Sequence, residues 1–298
     1  MARTESLARV EKMYIDGFPD ATDASIEDLR ASYDALLLQF PVPESATVAE
    51  GEITGVPTVT VTAAGAATDR VVVWFHGGGY VLGSAKAFAE MAHGLSRAAG
   101  VTVILPDYRR APENKYPAAV EDAVAVGAAV LERYGSGAVA FGGDSAGGGL
   151  AVAAMVSLRE NAAALPAAAV LISPLLDFSR SGASVATNAA TDIAVSDSSI
   201  SDLGAAYLQG HDERDPLASP LFAEHGGLPP VLAMVGSAEV LLDDSRRFTD
   251  SVRTAGGVAV LSVYDDMCHV WTLFSSVLPE GARALDEAGA FVNKYLPA

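Results

Sequence analysis

A serine hydroxyl is a weak nucleophile near neutral pH unless a base takes its proton and an acid orients that base. The stretch Gly143-Asp144-Ser145-Ala146-Gly147 offers such a serine in a suggestive setting. It follows the short apolar run 138–141 and leads into the small-residue segment 150–158, so the pattern reads strand, sharp turn, helix. A serine on that turn is lifted out of the sheet with its Oγ exposed. Side chains two positions before and two after it would collide, which explains glycine at both places. The helix opening at Ala146 presents free N–H groups and a positive dipole end to a developing anion. Taken by itself, the stretch reads equally well as a glycine-rich turn.

The base and the acid must come from elsewhere, downstream if the order is serine, acid, histidine. The chain has five histidines. His93 falls inside a predicted helix, His211 and His225 lie in polar loop sequence, and His76 belongs to His76-Gly77-Gly78-Gly79. Only His269 follows the last predicted strand, where a base is expected. The acid should follow the strand before it, and Glu239, Asp243 and Asp244 all do. Carboxylates at a helix start also stabilise the helix through its dipole, so each has a structural use as well. Glu239, first after the turn, is the expected acid and Asp243 the alternative. The three glycines after His76 leave backbone bare, so their N–H groups can approach a substrate oxygen and stabilise an anionic tetrahedral intermediate. Neither glycine cluster spells a dinucleotide fingerprint, Walker A is missing, and no Cys/His/Asp spacing suggests a metal site. The expectation is therefore no cofactor and no metal. Cys268, beside His269, reads as packing.

Continuous apolar runs of the buried parallel type span residues 71–75, 101–105, 138–141, 167–173, 230–235 and 257–264. Helical patterns fit residues 84–99, 117–134, 237–255 and 282–295, with glycine at 100 as a C-terminal stop. Residues 48–63 read as one alternating strand and Thr68-Asp69-Arg70 as a turn. Two amphipathic helices come first: Leu7, Val10 and Tyr14 share a face, with a stop at Gly17-Phe18-Pro19, and Ser25-Ile26-Glu27-Asp28 resembles a capping box opening the second. Residues 177–220 are polar and poorly periodic, with one helix near 198–208. Strands alternating with helices give an α/β fold with a mostly parallel sheet, whose ligands sit at the carboxyl ends of the strands. The His76 glycine turn, the Ser145 pentapeptide, the Glu239 loop and His269 all lie just after predicted strands.

A chain of 298 residues, half of them hydrophobic, can bury a sizeable core. Its net charge of −18 argues against nucleic acid and anionic membrane surfaces as partners. The apolar runs are too short to span a membrane. One cysteine and no signal-peptide pattern at Met1-Ala2-Arg3 onward point to a reducing, cytoplasmic setting.

His76-Gly77-Gly78-Gly79-Tyr80, the stretch Asp107-Tyr108-Arg109-Arg110-Ala111-Pro112-Glu113, the Ser145 pentapeptide, Ser219-Pro220 and Met267-Cys268-His269-Val270 together resemble the hormone-sensitive-lipase-like family of α/β-hydrolases, chiefly its bacterial carboxylesterases. The resemblance implies an α/β-hydrolase fold, with an eight-stranded sheet in which one strand is antiparallel, under a helical cap. The cap would come from residues 1–45 and about 178–214, and the catalytic domain would span 46–298. It implies Ser145 as nucleophile, His269 as base, and the amides of Gly78, Gly79 and Ala146 as oxyanion hole. His76 and the 107–113 stretch would tie loops under the site. The family usually has Asp where this chain has Glu239, while Asp243 matches the far end of the same motif. The expected substrate is a small carboxylic ester with a short acyl chain, and a homodimer is a family expectation. An amidase or lactonase on the same residues, and a non-catalytic small-molecule binding protein of the same fold, are the alternatives.

Overall fold

The structure, a computed structural model, describes residues 4–17 and 24–296. The expected stop at Phe18-Pro19 and the opening Met1-Ala2-Arg3 lie outside them. Eight strands form one sheet: β1 (Thr47–Ile53), β2 (Val56–Thr62), β3 (Ala67–Phe75), β4 (Val101–Pro106), β5 (Val139–Asp144), β6 (Ala168–Ile172), β7 (Val231–Gly236) and β8 (Ala259–Tyr264). Their spatial order is β1-β2-β4-β3-β5-β6-β7-β8. From β3 to β8 every pairing is parallel. β2 pairs antiparallel with both β1 and β4, so β2 alone runs against the rest, as the resemblance implies.

Two local readings are corrected. Residues 48–63 are a hairpin rather than one strand. The chain reverses at Thr54-Gly55, both at positive φ (52° and 85°), the conformation that matches the twist of paired strands. The valine–threonine alternation continues on both sides of that turn and hides it. Thr68-Asp69-Arg70 is not a turn but the irregular start of β3, where the register against β4 shifts between Ala67 and Val71.

The helices are α1 (Glu5–Gly17), α2 (Ile26–Leu37), α3 (Ala89–Ala99), α4 (Ala118–Tyr134), α5 (Ala146–Glu160), the single turn α6 (Ser184–Thr187), α7 (Asp197–Leu208), α8 (Leu242–Thr254) and α9 (Pro279–Tyr295). The helix expected from residue 84 starts five residues later, because 85–88 form a turn that brings the Phe88 ring 5.4 Å from His76. Gly100 closes α3 in the left-handed conformation (φ 64°). Alternating side chains of β3 divide the core: Val71, Val73 and Phe75 join α4, α5 and α8, while Val72 and Trp74 join α1, α2, α3 and α9. Leu7 and Val10 of α1 are buried in the second cluster, each worth about 2 kcal/mol of apolar burial. The Ser25–Asp28 capping box opens α2.

The connections place the site. From β3 the chain moves to β4 on one side, then returns to β5 on the other. The carboxyl ends of β3 and β5 thus flank the crevice where strand order reverses, the usual ligand position in such sheets. The His76 turn and Ser145 leave from those two ends. Among the described residues, no helix is long and apolar enough to cross a membrane.

Candidate active site

β5 ends at Asp144 and α5 begins at Ala146, leaving Ser145 alone between them at φ 53°, ψ −123°. A non-glycine residue at that φ is strained and needs over-determined surroundings. Its amide donates to the Ile172 carbonyl at 2.9 Å, and its carbonyl accepts from Leu175 at 2.9 Å and Gly149 at 3.2 Å. Neighbouring backbone passes so close that a Cβ at Gly147 would lie 1.9 Å from the Phe75 oxygen, and one at Gly143 would lie 2.2 Å from the Gly147 oxygen. The spacing expected from collision alone is therefore enforced by backbone atoms that cannot yield.

His269 follows β8, its ring buried and its Nε2 2.9 Å from Ser145 Oγ. Its Nδ1 lies 2.8 Å from Glu239 Oε2. A carboxylate only accepts, so Nδ1 carries the proton and the Nε2 lone pair faces the serine. The extra methylene of glutamate is taken up by folding back over Gly236. There Glu239 Oε1 accepts from the Gly236 amide at 2.5 Å and from Ser173 Oγ at 2.7 Å. The other two carboxylates face away from the histidine. Asp243 Oδ2 accepts from the Ser184 amide at 3.0 Å, and Asp244 Oδ2 from the Leu176 amide at 2.8 Å.

Burial by itself pushes the His269 imidazole down, but the hydrogen bond and charge of Glu239, joined by the charges of Asp192 and Asp144, leave it above the ordinary histidine value. Burial pushes the Glu239 carboxyl up, against the pull of its bonds to His269 and Gly236. Asp144, fully buried behind the serine, is pushed up to about 7 by burial. Its Oδ1 accepts from Trp74 Nε1 at 2.9 Å. Burial also pushes the Cys268 thiol up, so it stays neutral and packs in the core, as its sequence context suggests.

Opposite the serine, Gly78 and Gly79 take φ of 115° and 62°. Among the described residues, neither their amides nor that of Ala146 donates to a backbone carbonyl, so all three are free for a ligand. The turn is braced from below. His76 is buried, pushed down to about 4 by that burial, and donates from Nδ1 to the Gly77 carbonyl at 2.8 Å. Tyr108 stacks on its ring at 4.4 Å and donates to the His76 carbonyl at 2.7 Å. The Ala111 amide donates to the Tyr80 carbonyl at 2.9 Å. From α2, Arg30 donates to the Val81 and Ala111 carbonyls, both at 2.7 Å, and to both oxygens of Glu113.

Sequence reasoning missed several residues here. Ser173, at φ 48° after β6, donates to Glu239 and accepts from the Val270 amide at 3.1 Å, joining the acid loop to the histidine loop. Tyr14 of α1 donates to the His269 carbonyl at 2.9 Å. Arg30, Asn188, Thr191 and Asp192 likewise meet loop backbone. The only signal for Ser173 is the Ser-Pro pair just past a strand; the rest look like ordinary surface polar residues.

A family pattern described as the alpha/beta hydrolase fold matches residues 72–273. The chain is 45% identical over 225 residues to an acetyl-hydrolase of Streptomyces hygroscopicus, covering 75% of each. It superimposes at a TM-score of 0.96 on a crystal structure of an esterase from the bacterial hormone-sensitive lipase family, with 42% identity, covering 99% of this chain and 100% of that one. A second esterase crystal, soaked by p-nitrophenyl butyrate, superimposes at 0.94 with 35% identity, again covering 99% and 100%.

Proposed function

Because the chain belongs to the hormone-sensitive-lipase-like family of α/β-hydrolases and is a serine carboxylesterase, we propose that Ser145, His269 and Glu239 are its catalytic triad and the amides of Gly78, Gly79 and Ala146 its oxyanion hole. The observation that carries this assignment is the unbroken row of hydrogen bonds from Ser145 Oγ through His269 to Glu239, at 2.9 and 2.8 Å. Ser145 Oγ attacks the ester carbonyl carbon while His269 Nε2 takes its proton. The carbonyl oxygen, now an anion, is held by the three amides and the positive end of α5. The tetrahedral intermediate collapses, Nε2–H protonates the departing alkoxide, and the acyl group stays on Ser145. Water enters, gives a proton to Nε2 as it attacks the acyl carbon, and a second collapse returns the proton to Ser145. Glu239 holds the Nδ1 proton throughout and offsets the imidazolium charge. No cofactor enters this scheme.

A short acyl chain is part of the proposal. It is supported by the names of the relatives, one an acetyl-hydrolase and one soaked by a butyrate ester. The test is a rate profile over p-nitrophenyl esters of increasing acyl length, with an amide and a lactone included. The highest kcat/KM is expected on a short ester, and a faster amide or lactone would replace the assignment. Fluorophosphonate labelling of Ser145 separates an enzyme from a binding protein, since only an activated serine is titrated.

Two further outcomes follow from the geometry. The base must be neutral, and Glu239 raises the His269 imidazole above the ordinary histidine value, so kcat/KM should fall as pH drops, with a midpoint on the high side for a histidine. A midpoint on the low side for a histidine would contradict the paired Glu239. Gly79→Ala puts a Cβ at φ 62°, where an L side chain strains the turn, and 2.4 Å from Leu203 Cδ1 of α7, which must also give way. Misplacing one oxyanion donor should lower kcat by about 10²-fold, with KM nearly unchanged in steady-state kinetics.

A cap over the site, formed by residues 1–45 and about 178–214, belongs to the same reading. Its support is that Leu203 and Tyr207 of α7 meet Gly79 and Tyr80, the latter stacked at 4.0 Å. A cytoplasmic setting rests on the lone Cys268, and a homodimer on the edge strand β8, whose Val260 and Val263 are exposed along with the preceding Val258.

A further inference from the structure

The acid loop, residues 237–240, lies between β7 and α8, beyond the last sheet bond from the Ser237 amide to the Tyr264 carbonyl at 2.8 Å. Its own turn bonds are long, 3.3 Å from the Glu239 amide to Gly236 and 3.3 Å from the Leu242 amide to Glu239. Beyond the Asp266 amide, which donates to Ser237 Oγ at 2.9 Å, and the bonds of the Glu239 carboxylate, the loop is held by one short piece of the insertion between β6 and β7. Asn188 Nδ2 donates to the Ser237 carbonyl at 3.0 Å and to the Glu239 carbonyl at 2.8 Å. Thr191 Oγ1 donates to the Ala238 carbonyl at 3.0 Å. The Val240 amide donates to Asp192 Oδ2 at 2.8 Å, and Ser184 Oγ donates to the Val240 carbonyl at 2.6 Å. Every residue from 237 to 240 is therefore bound by a side chain from residues 184–192.

We propose that Asn188 is a positioning residue for the triad acid: by bridging the Ser237 and Glu239 carbonyls it fixes the loop that aims the Glu239 carboxylate at His269. The inference rests on Glu239 being that acid. One amide group spans two carbonyls on either side of Ala238, so removing it frees the loop at the residue whose side chain must stay in line. Loops held by weak turn bonds drift when a bridge is lost, and a displacement on the order of 1 Å is costly to catalysis. The bridge also couples the insertion to the site. The segment runs directly into α7, which lies against Gly79, so one inserted piece touches both the acid and the oxyanion turn.

The experiment is a double-mutant cycle on the full chain, with Asn188→Ala, Glu239→Gln and the pair, assayed on a short p-nitrophenyl ester. Asn188→Ala alone should lower kcat by about 10- to 100-fold with little change in KM. The acid limb of its kcat/KM profile should move to lower pH, because a displaced Glu239 raises His269 less. The other groups acting on the imidazole, Asp192 and Asp144, remain in place. In the Glu239→Gln background the same substitution should cost nothing further, since it acts only through that carboxylate. A lower melting temperature with an unchanged pH profile, or a loss that adds fully to that of Glu239→Gln, would mean a merely structural role and overturn the proposal. Full activity of Glu239→Gln would overturn the acid assignment itself. If Asn188→Ala does not fold, Thr191→Val, which removes one exposed donor to the same loop, carries the same cycle at smaller amplitude.

Discussion

Ser145→Ala should abolish measurable turnover, with kcat for a short p-nitrophenyl ester falling on the order of 10⁶-fold. The size follows from the way the residues act together. Once Oγ is gone, His269 has no proton to accept from the protein and Glu239 has no imidazolium to offset. What remains is an oxyanion turn that can bind a carbonyl and orient water poorly. KM should change little, because the hydroxyl contributes to the transition state far more than to substrate binding. The fold should be unaffected: alanine at φ 53° carries the same backbone strain, and the bonds that fix residue 145 are made by its backbone. An unchanged melting temperature beside the lost activity is the expected pair of observations. Retention of more than about a hundredth of the activity would remove Ser145 from the nucleophile's place.

The second large effect separates the two carboxylates that the sequence leaves in competition. Glu239→Gln keeps shape but turns one oxygen into an amide nitrogen. If that nitrogen faces Nδ1, the imidazole must carry its proton on Nε2, the wrong tautomer for taking one from the serine. The expected loss is about 10⁴-fold in kcat. Asp243→Asn should behave differently. Asp243 binds the Ser184 amide and lies 3.3 Å from Arg246, so its loss should cost roughly 1–2 kcal/mol of stability and change kcat by only a few-fold. Kinetics and thermal melts on the two variants check both statements, and a larger kcat loss at Asp243 would reverse the assignment.

Much of the site was legible because its chemistry demands unusual backbone. Glycines at 143 and 147, and three in a row after His76, are choices that ordinary loops do not require, and they sit where continuous apolar runs end. His269 was legible by position alone. Glu239 was not separable from Asp243, because both follow the same strand near a helix start. Only the fold-back over Gly236 and the bond to Ser173 show which one reaches the imidazole. Ser173, Asn188 and Arg30 were invisible for a related reason. Each is a single polar residue whose partner is chosen by the packed chain, and nothing in its neighbours announces the bond. The hairpin at Thr54-Gly55 was lost because its alternation runs unbroken through both arms, and the start of β3 because polar residues at an irregular strand edge look like a turn.

The hydroxyl of Tyr14 on the His269 carbonyl joins positions 255 residues apart. Ser145 stands between them in the sequence, and Glu239 comes between Ser145 and His269. The relay therefore has a local half, Glu239 with His269 across 30 residues, and a distant half, His269 with Ser145 across 124. β8 can bring His269 to Glu239 early through its pairing with β7, but the base reaches Ser145 only across 124 residues and is tied to α1 across 255, closures that form slowly. Esterase activity should then lag behind recovered helix and sheet content after dilution from denaturant, rising with the slowest phase. In that sense hydrolysis reports on completed folding, and a nascent chain that has already buried its serine is still without a catalyst.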